Sequence, residues 1–343
     1  MKKNINIVTI GGGTGSFTLL SGIKRIKGCN ISAIVTTFDN GGSTGRLIDE
    51  FGILPVGDIR QCITALSPDG TLIRQLFTYR FDKGEKGLQG HSLGNLLLTG
   101  LIEILGSEQE AIKQMGKILH IKGTVLPVSL QKATLVAKLE NSKIVKGDDD
   151  IGTGQDYNKK VYRIKKLYLE PEVMISFDAE NAILNADYII IGPGDLYTSI
   201  LPNFIVKGTI NAIKKAKGTN TNGSQNKAKV IYIMNLISKK SETYKYRASD
   251  YIKDIEKYIG KNLIDFVLLN NGKYPKNILK KYEKEGGYPI VDDLSDNDKA
   301  RRFNVISQKT VIPQKGDTTK RALIRHDSQK LARSIMKIVQ EDK

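Results

Sequence analysis

Glycine-rich turns that directly follow short apolar strands constrain the fold of this chain more than any other feature. An apolar strand at residues 5–10 is followed by a turn at 11–15, and apolar residues resume at helical spacing over 17–26. A second strand, at 31–37, ends in another glycine-rich turn at 39–45. Strands that alternate with helices form right-handed βαβ units. The sequence therefore predicts an α/β protein with a mostly parallel sheet.

Later segments extend this pattern, and one region interrupts it. Apolar segments at 186–191, 230–234 and 264–269 each precede a loop rich in Gly, Pro or Asn, which is typical of further parallel strands. Residues 123–169 contain short strand-like segments around a polar turn, which predict a small antiparallel insertion. We therefore expect one main domain over residues 1–298, with the insertion at about 123–169.

Positive charge dominates the composition and indicates anionic partners. The 343 residues include 53 Lys and Arg against 36 Asp and Glu, a net charge of +17. Such a field attracts nucleotides, phosphosugars, nucleic acid or an anionic membrane surface. Residues 299–343 form a basic C-terminal segment, whose last part has the pattern of an amphipathic helix. We interpret it as a docked terminal helix with a basic, solvated face. Nucleic acid is therefore not the expected partner.

Several protein classes are excluded by residues that are scarce. Two cysteines, Cys29 and Cys62, are too few for a disulfide scaffold. His91, His120 and His326 lie far apart in the sequence, so no zinc cluster is predicted. No apolar run approaches the roughly 20 residues of a membrane helix, and no signal peptide is recognisable. We expect a cytoplasmic protein without a membrane span and without a required cofactor.

The first two turns have the composition of phosphate-binding loops. Glycines at 11–15 allow close approach to backbone N–H groups at a helix N-terminus, although Ser16 breaks the dinucleotide fingerprint. The turn at 39–45 adds a carboxylate, an amide and hydroxyls, which suit a ribose or a metal-bridged pyrophosphate. A plain tight turn and an Asx-turn are the alternatives. The candidate ligand contacts are Gly11, Gly12, Gly13, Thr14, Gly15, Asp39, Asn40, Gly41, Gly42 and Ser43.

Two charged residues begin a predicted helix at 59–66. Asp58 occupies a plausible N-cap position, which would account for it fully. Arg60 lies in the first turn, where the helix dipole disfavours a cation unless an anion is close. We therefore predict a phosphate contact for Arg60 and include Asp58 in the candidate site.

The segment at 90–94, GHSLG, matches the nucleophile elbow of α/β-hydrolases, and Asp292 and His326 follow in the order of a triad. The elbow requires an apolar strand immediately before it, but residues 82–89 are polar and glycine-rich. Hydrolysis is therefore disfavoured. The alternative is a polar turn that opens a helix at 93–105, with His91, Ser92 and Asn95 offering hydrogen bonds to a ligand.

A hydroxyl-rich loop follows the most apolar predicted strand. Its glycines have no side chains to block approach to the backbone, and three hydroxyl groups follow within a few positions. A simple turn would not need so many hydroxyl groups. Asn235 ends the next strand, and an acidic and a hydroxyl side chain lie downstream of it. These groups could select a base or a sugar, or could be ordinary surface polar residues. The candidates are Gly192, Gly194, Tyr197, Thr198, Ser199, Asn235, Glu242 and Thr243.

Five motifs, taken in order, resemble those of the YvcK family, the bacterial gluconeogenesis factors within the CofD-like superfamily. They are GGGTG at 11–15, DNGGSTG at 39–45, GDIR at 57–60, GHSLGNLLL at 90–98 and GPGDLYTS at 192–199. The similarity extends over residues 5–275. It implies a three-layer, Rossmann-like α/β/α fold that binds a nucleotide at the carboxyl edge of its sheet.

The resemblance also implies a function. Family members bind UDP-sugars, notably UDP-N-acetylglucosamine, and are linked to cell shape, peptidoglycan homeostasis and growth on gluconeogenic carbon sources. The sister CofD branch transfers a phosphorylated three-carbon acid from a nucleotide-activated donor to a deazaflavin, with magnesium. Carried over by motif, phosphate and ribose contacts fall on 12–15 and 39–43. The loop at 192–199 and Asn235 are expected to face the same cleft.

Three positions depart from the family pattern. Asn40 stands where a second aspartate is usual, which could weaken a metal site. Asp195 replaces a serine and would repel a phosphate if it faced the site. Ser241 replaces the glycine of a G-E-T element. These changes bear on ligand identity more than on the fold.

We favour a UDP-sugar-binding regulator over an enzyme. The chain supplies phosphate-binding turns and a positive field, but no clear base, nucleophile or carboxylate pair at a reacting centre. We therefore expect no catalytic residues and no dedicated metal ligands, although Mg²⁺ could accompany the pyrophosphate. A CofD-like transferase is the alternative. A protein partner in cell-wall control and a homodimer are both compatible with the sequence.

Overall fold

A seven-stranded parallel sheet forms the centre of the molecule. The computed structural model describes residues 4–83, 87–153, 161–218, 228–295, 299–307 and 323–342. The strand order is β10-β9-β8-β7-β1-β2-β3, and each neighbouring pair is parallel. The strands are β1 (Ile5–Gly11), β2 (Cys29–Val35), β3 (Thr124–Pro127), β7 (Tyr188–Ile191), β8 (Lys229–Ile233), β9 (Phe266–Asn270) and β10 (Ala300–Phe303). The predicted parallel α/β fold is confirmed.

Helices cover both faces of this sheet and give the three layers. The helices are α1 (Gly13–Ile23), α2 (Gly42–Phe51), α3 (Gly57–Leu66), α4 (Leu72–Thr78), α5 (Leu93–Leu105), α6 (Glu108–Ile118), α7 (Asp148–Thr153), α8 (Phe177–Leu184), α9 (Leu201–Phe204), α10 (Thr209–Ala216), α11 (Ala248–Ile259), α12 (Lys276–Lys284) and α13 (Ser328–Glu341). Along β1, Val8 and Ile10 point into one apolar core and Ile7 into the other. Successive strand residues face opposite sides, so a buried central strand is apolar on both. None of the helices in the described ranges is both long and apolar enough to span a membrane.

A second sheet is small and antiparallel. Its order is β5-β4-β6, formed by β4 (Thr134–Leu139), β5 (Ile144–Lys146) and β6 (Ile164–Glu170). The predicted antiparallel insertion is therefore present. Its boundary differs at one end, because β3 pairs in parallel with β2 and belongs to the large sheet.

The C-terminal segment packs on the main body. β10 extends the large sheet beside β9, and α13 lies against α1. The apolar positions of the predicted terminal helix, among them Leu331, Ile335 and Ile338, are fully buried. A side chain at Gly22 of α1 would collide with the backbone of Ser328, so this close helix crossing requires a glycine. The described part of the segment thus contributes to the common core.

The strand order places the site. From β1 the chain moves outward through β2 and β3, whereas β7, β8 and β9 follow on the other side of β1. The order therefore reverses between β1 and β7. In open α/β sheets, ligands bind at the carboxyl ends of the strands beside such a switch point. The turns after β1 and β7 lie there.

Candidate functional site

The turns after β1 and β7 touch each other at the switch point. A Cβ atom at Gly15 would overlap the carbonyl of Pro193, so this position tolerates no side chain. A Cβ atom at Gly13 would lie 3.8 Å from Ser199 Oγ and also 3.8 Å from Asp58 Oδ1. The first and last of the five sequence motifs therefore meet at the carboxyl edge of the sheet. We call the surface bordered by residues 13–15, 39–43 and 194–199 the cleft.

The carboxylate of Asp58 occupies the N-terminus of α1. It accepts a hydrogen bond from the Gly13 backbone N–H, and Gln61 Nε2 donates to Asp58 Oδ1 over 3.3 Å. The prediction that Asp58 caps its own helix is wrong, because α3 begins at Gly57, two residues earlier than predicted, with Val56 at the N-cap position and no side-chain cap. The carboxylate reaches across to the neighbouring helix, where the dipole favours a negative charge.

The second turn leads into α2 and leaves open space at its start. The Gly41 N–H donates to Asp39 Oδ1 over 2.9 Å, which is the Asx-turn considered from the sequence. Gly42 has φ +49° and is exposed, and a Cβ atom there would meet nothing within 4 Å. The glycine is needed for its left-handed backbone, not for packing. The N-terminus of α2 is thus accessible to an anion.

A chain of hydrogen bonds joins this turn to α3 and α5. Arg60 Nε donates to Asn95 Oδ1 over 2.8 Å, and Asn95 Nδ2 donates to Ser43 Oγ over 3.1 Å. Ser43 Oγ also lies 2.9 Å from His91 Nδ1. Three motifs that are distant in sequence are therefore coupled. Burial lowers the pKa of His91, with Arg46 adding to the effect, so the imidazole is neutral in this network.

Ser92 has a structural role. Its Oγ accepts from the Asn95 N–H over 3.2 Å and caps α5, and the residue is only 1% exposed. Residues 87–90, directly before it, form a turn and not a strand. The context that a nucleophile elbow needs is absent at this serine, as the sequence predicts.

Carboxylates from three parts of the chain gather beside the second turn. The Asn40 N–H donates to Asp148 Oδ1 over 2.7 Å, and the Asp149 N–H donates to Asn40 Oδ1 over 3.3 Å. Burial raises the pKa of Asp39, and burial together with the Asp39 charge raises the pKa of Asp58 to about 7 and that of Asp148 to about 8. The cluster therefore retains protons near neutral pH.

We expect Asp148→Asn to stabilise the protein increasingly as the pH rises. The unfolded carboxyl group ionises near about pH 4, whereas the folded one keeps its proton to about pH 8. Folding therefore takes up a proton in this interval, and wild-type stability falls with rising pH. Asparagine keeps the acceptor oxygen and cannot ionise. A proton retained over this whole range corresponds to at most about 5 kcal/mol. Urea unfolding in EDTA should therefore show the variant gaining at least about 1 kcal/mol over wild type between the two ends of the range.

The matched control for this prediction is Asp150→Asn. Asp150 is exposed and lies two residues away in the same helix. This variant removes one carboxylate from the exposed side of the same helix, and its difference from wild type is the baseline for Asp148→Asn. A pH-independent difference for Asp148→Asn would contradict the assignment of a retained proton to this cluster.

Asp148 and Asp149 are site residues that sequence reasoning missed. The run of aspartates at 148–150 is visible in the sequence, but nothing local places it beside Asn40. The small sheet does so, because α7 follows β5 and packs over the second turn. A side chain at Gly147 would collide with the Asn40 amide, so the chain can come this close to the second turn only because residue 147 is a glycine.

Glu242 and Thr243 support the hydroxyl-rich loop after β7 from its buried side. Residues Leu196–Ile200 form a π-helical turn, and Glu242 is 3% exposed beneath it. The Tyr197 N–H donates to Glu242 Oε2 over 2.9 Å, and Thr198 Oγ1 donates to Glu242 Oε1 over 3.1 Å. Thr243 Oγ1 accepts from Lys239 N over 3.0 Å, which fixes the loop that carries Glu242. Glu242 and Thr243 therefore position the π-helical turn.

Asp195 does not act as a bare charge in the cleft. Lys239 Nζ lies 2.6 Å from Asp195 Oδ2 and 3.1 Å from Glu242 Oε1. One ammonium group thus offsets two carboxylates. Asp195, which replaces the usual serine, could repel a phosphate. Its pairing with Lys239, two residues before Ser241, reduces this repulsion.

Tyr197 points away from the cleft. Its ring is fully buried, and its hydroxyl donates to Asp254 and lies 3.4 Å from the Tyr246 hydroxyl. Only the backbone of Tyr197 belongs to the loop that borders the cleft. Its side chain fastens this loop to α11.

The predicted site residues divide by their accessibility. Residues that reach the surface of the cleft are Gly13, Thr14, Gly15, Asp39, Asn40, Gly41, Gly42, Ser43, Asp58, Arg60, Gly194, Thr198, Ser199 and Asn235. Buried behind them are Gly11, Gly12, His91, Ser92, Asn95, Gly192, Tyr197, Glu242 and Thr243. The first set is accessible from the surface, and the second lies beneath it.

Asn235 offers an unused acceptor. Its Nδ2 donates to the Gly194 carbonyl over 2.9 Å, while its Oδ1 is buried and has no hydrogen-bond partner in the structure described. A buried carbonyl oxygen without a donor is costly. A ligand N–H or O–H at this point would satisfy it.

No protein-only metal centre is formed in the part of the chain that the structure describes, because no group of three or more His, Cys, Asp or Glu residues is arranged to hold an ion. Asp39 and Asp58 are nevertheless close neighbours at the floor of the cleft. Mg²⁺ is commonly bound by one or two carboxylates together with substrate phosphates. These residues fit that mode and not a dedicated cage.

Comparison with known proteins identifies the family of this chain. The sequence model described as "2-phospho-L-lactate transferase CofD" matches residues 7–311. The chain belongs to the CofD family. This CofD-family chain is also 38% identical to the "Gluconeogenesis factor" of Bacillus subtilis, with 99% of the chain and 100% of that protein covered. A "Putative gluconeogenesis factor" of Aquifex aeolicus is 39% identical, with 99% and 98% covered.

A crystal structure from Bacillus halodurans has the same fold as this CofD-family protein. It is described as a member of the upf0052 family, BH3568, and superposes with a TM-score of 0.84 at 35% identity. The match covers 98% of this chain and 99% of that one. The resemblance drawn from five motifs is thus confirmed over nearly the whole chain.

Proposed function

We propose that this protein binds a UDP-sugar, with UDP-N-acetylglucosamine as the expected ligand, in the cleft between the turns after β1, β2 and β7. The observation that carries the proposal is the open N-terminus of α2 at Gly42 and Ser43, linked through Asn95 to Arg60. Helix N-termini with accessible amides, together with a guanidinium, are suited to a pyrophosphate. The net charge of +17 favours the approach of such an anion.

Two further groups are assigned to selectivity in this proposal. The unpartnered Oδ1 of Asn235 is suited to accept from the N3–H of uracil or from a sugar hydroxyl. Ser199 lies next to Gly13 at the start of α1, where its hydroxyl is suited to contact the ligand. A polar site that pairs every hydrogen bond of the right ligand rejects analogues that leave groups unpaired.

Magnesium is proposed to enter with the pyrophosphate. In their ionised form Asp39 and Asp58 would repel a pyrophosphate that carried no metal ion, and the pKa of both groups is raised mainly by burial, with a neighbouring carboxylate adding to the effect. A divalent ion between the carboxylates and the phosphates would relieve this repulsion. We therefore expect tighter UDP-sugar binding in Mg²⁺ than in EDTA.

The biological role proposed for this binding is regulation of cell shape, cell-wall homeostasis and gluconeogenic growth. Similarity to proteins named as gluconeogenesis factors supports the gluconeogenic part of this role. The cell-shape and cell-wall parts rest on the resemblance to the YvcK family. In the described residues, the one serine in an elbow-like motif is used as a helix cap, which also favours a binding protein over a hydrolase. A protein partner would read the ligand-bound state.

The test is a calorimetric titration with UDP-N-acetylglucosamine, with and without Mg²⁺, followed by chemical analysis of the recovered ligand. Saturable binding at about 1 μM, near −8 kcal/mol, is the expected result. GDP serves as the comparison nucleotide and should bind more weakly. Intact ligand supports a sensor, and cleaved or transferred ligand identifies an enzyme. No binding heat from the UDP-sugar would contradict the proposal.

A CofD-like transferase is the second candidate, and the matching family description favours it. The carboxyl of Asp58, with its pKa of about 7, would be suited to accept a proton from an attacking group. Asn40 argues against it, since metal-assisted transfer favours a full carboxylate set. Mg²⁺-dependent turnover of a nucleotide-activated, phosphorylated three-carbon acid with a deazaflavin acceptor would establish this activity.

A further inference from the structure

A basic concavity lies between the small sheet and helix α11, and it shares no residue with the candidate site. Its volume is about 580 Å³, and small-molecule sites typically have roughly 300–1,000 Å³. Four of the described residues that line it are lysines, and no acidic residue is among them. We call this concavity the lysine pocket; it is lined by Lys138, Lys165, Lys166, Leu167, Lys257 and Tyr258.

Helix α11 is fastened to the free edge of the small sheet at this pocket. The edge strand is β6, the last strand in the order β5-β4-β6. Lys257 Nζ donates to the Lys165 carbonyl over 2.7 Å, and the Leu167 N–H donates to the Tyr258 hydroxyl over 2.9 Å. These bonds pair backbone groups that a strand edge leaves open. An ammonium group has three donors, so Lys257 can keep this bond and still contact an anion.

Two of the lysines face each other across the small sheet. Lys138 of β4 is the direct partner of Lys166 of β6 in the antiparallel register. Like charges directly opposite each other destabilise a pair of strands, whereas opposite charges stabilise it. The fold alone gives no reason for this like-charge pair. An anion bound between the two ammonium groups would give one.

The positive charge of the lysine pocket is not neutralised from within the described ranges. None of its four ammonium groups forms an ion pair with a carboxylate there. Glu170 of β6 instead pairs with Lys146 of β5 over 2.8 Å. Asp254 of α11 accepts hydrogen bonds from the hydroxyl groups of Tyr197 and Tyr246. Four positive charges are therefore left to an external anion.

Aromatic rings are the neighbours of two of these lysines. Lys166 Nζ lies 5.4 Å from the centroid of the Tyr168 ring, and Lys257 Nζ lies 5.7 Å from that of Tyr258. At exposed sites such contacts contribute little and leave the ammonium group open to solvent on its other side. They orient the two lysines without replacing an anion.

The shape and the charge of the lysine pocket favour a small molecule with several phosphate groups. A phosphate group carries up to about two negative charges, and lysine presents a compact charge on a flexible stem. Leu167 is buried at the pocket and Tyr258 is half-buried, which gives an organic ligand some apolar surface. A membrane or a nucleic acid attracts basic residues that are spread over a face or along a stripe. Four lysines around one concavity are better matched to a compact polyanion.

We propose that the lysine pocket binds a small, multiply phosphorylated molecule. The proposal does not depend on the UDP-sugar, because the two sites have no residue in common. Helix α11 nevertheless reaches both, since Asp254, one turn before Tyr258, accepts a hydrogen bond from Tyr197 of the π-helical turn. A ligand of the lysine pocket would thus contact the helix that fastens the loop beside the cleft.

The test is a calorimetric titration of the full chain with inorganic tripolyphosphate, in EDTA and at low ionic strength. Wild type should bind it saturably. The double variant Lys138→Gln/Lys166→Gln should bind at least about 10-fold more weakly, because it removes two charge-assisted hydrogen bonds to phosphate.

The matched control is Lys117→Gln/Lys122→Gln, which removes the same two charges. Both of these lysines are exposed, and α6, to which Lys117 belongs, packs on the opposite face of the large sheet from Leu167. The control should bind tripolyphosphate like wild type. Far-UV circular dichroism checks that the variants are folded. Lys166→Glu, which creates an opposite-charge cross-strand pair, replaces the pocket variant if that one is not folded.

Each outcome decides the proposal. Binding that the pocket variant loses and the control keeps supports it. No saturable binding by wild type overturns it, as does binding that only Arg60→Ala reduces, because that binding belongs to the cleft. Equal affinities of the pocket variant and the control also overturn it. Phosphatidylserine vesicles or single-stranded DNA that bind through these lysines, when tripolyphosphate does not, would overturn it in favour of a macromolecular surface.

Discussion

Gly15→Ala should destabilise the protein by about 3 kcal/mol or more, because the new methyl group would overlap backbone atoms and not a movable side chain. The carbonyl of Pro193 lies where the Cβ atom would be placed. Gly15 lies in the first turn of α1, directly after the buried strand β1, and Pro193 lies directly after the buried strand β7, so neither backbone can move without disturbing the sheet. Urea unfolding at constant pH measures the loss as a lower midpoint with an unchanged slope.

Gly100→Ala is the matched control for this prediction. Gly100 also lies inside a helix, α5, but a Cβ atom there would meet nothing within 4 Å. Alanine has the higher helix propensity, so this variant should be as stable as wild type or up to about 1 kcal/mol more stable. Equal stability of the two variants would show that the turns after β1 and β7 are not in the close contact described.

Arg60→Ala should weaken UDP-sugar binding by about 30-fold, near 2 kcal/mol, if the proposed function is correct. A hydrogen bond between a guanidinium and a phosphate contributes roughly this amount. Arg60 sits in the first turn of α3 and is directed by Asn95, which also holds Ser43 at the start of α2. Calorimetric titration with UDP-N-acetylglucosamine in Mg²⁺ measures the change.

The control for this variant is Arg25→Ala. Arg25 is an exposed arginine of the segment after α1 that pairs with Asp69 over 2.7 Å, away from the cleft. It removes the same charge from the chain, so it corrects for the general positive field. Both variants should retain wild-type circular dichroism. Undiminished affinity in Arg60→Ala, or an equal loss in Arg25→Ala, would remove Arg60 from the ligand-binding account.

Much of the site could be predicted because its main parts are local. A buried strand that ends in a glycine-rich turn at residues 11–15 or 39–45 specifies both a strand and the start of a helix. Parallel strands bring their carboxyl ends to one edge, so the turns are expected to share a cleft. The five motifs, read in order, also identified the family.

The separation of accessible from buried residues within the candidate site could not be predicted. Tyr197, Thr198 and Ser199 are consecutive polar residues, and the sequence gives no reason to treat them differently. The π-helical turn sends the Tyr197 ring into the core and leaves Ser199 beside the cleft. Glu242 is likewise buried only because Lys239 and two groups of this turn satisfy its carboxylate. Direction of a side chain depends on the local backbone and on its neighbours, not on residue type.

The sequence by itself determined the parallel α/β fold, the turns that border the cleft and the family. These features arise from periodicity and turn chemistry within short segments. Only the tertiary structure decided that the Asp58 carboxylate accepts a hydrogen bond at the N-terminus of α1. It also decided that Asp148, which follows the small sheet, bonds to the second turn at Asn40, and that β3 belongs to the large sheet. These contacts join residues far apart in the chain. They depend on strand order and on how closely layers pack, which short-range patterns do not encode.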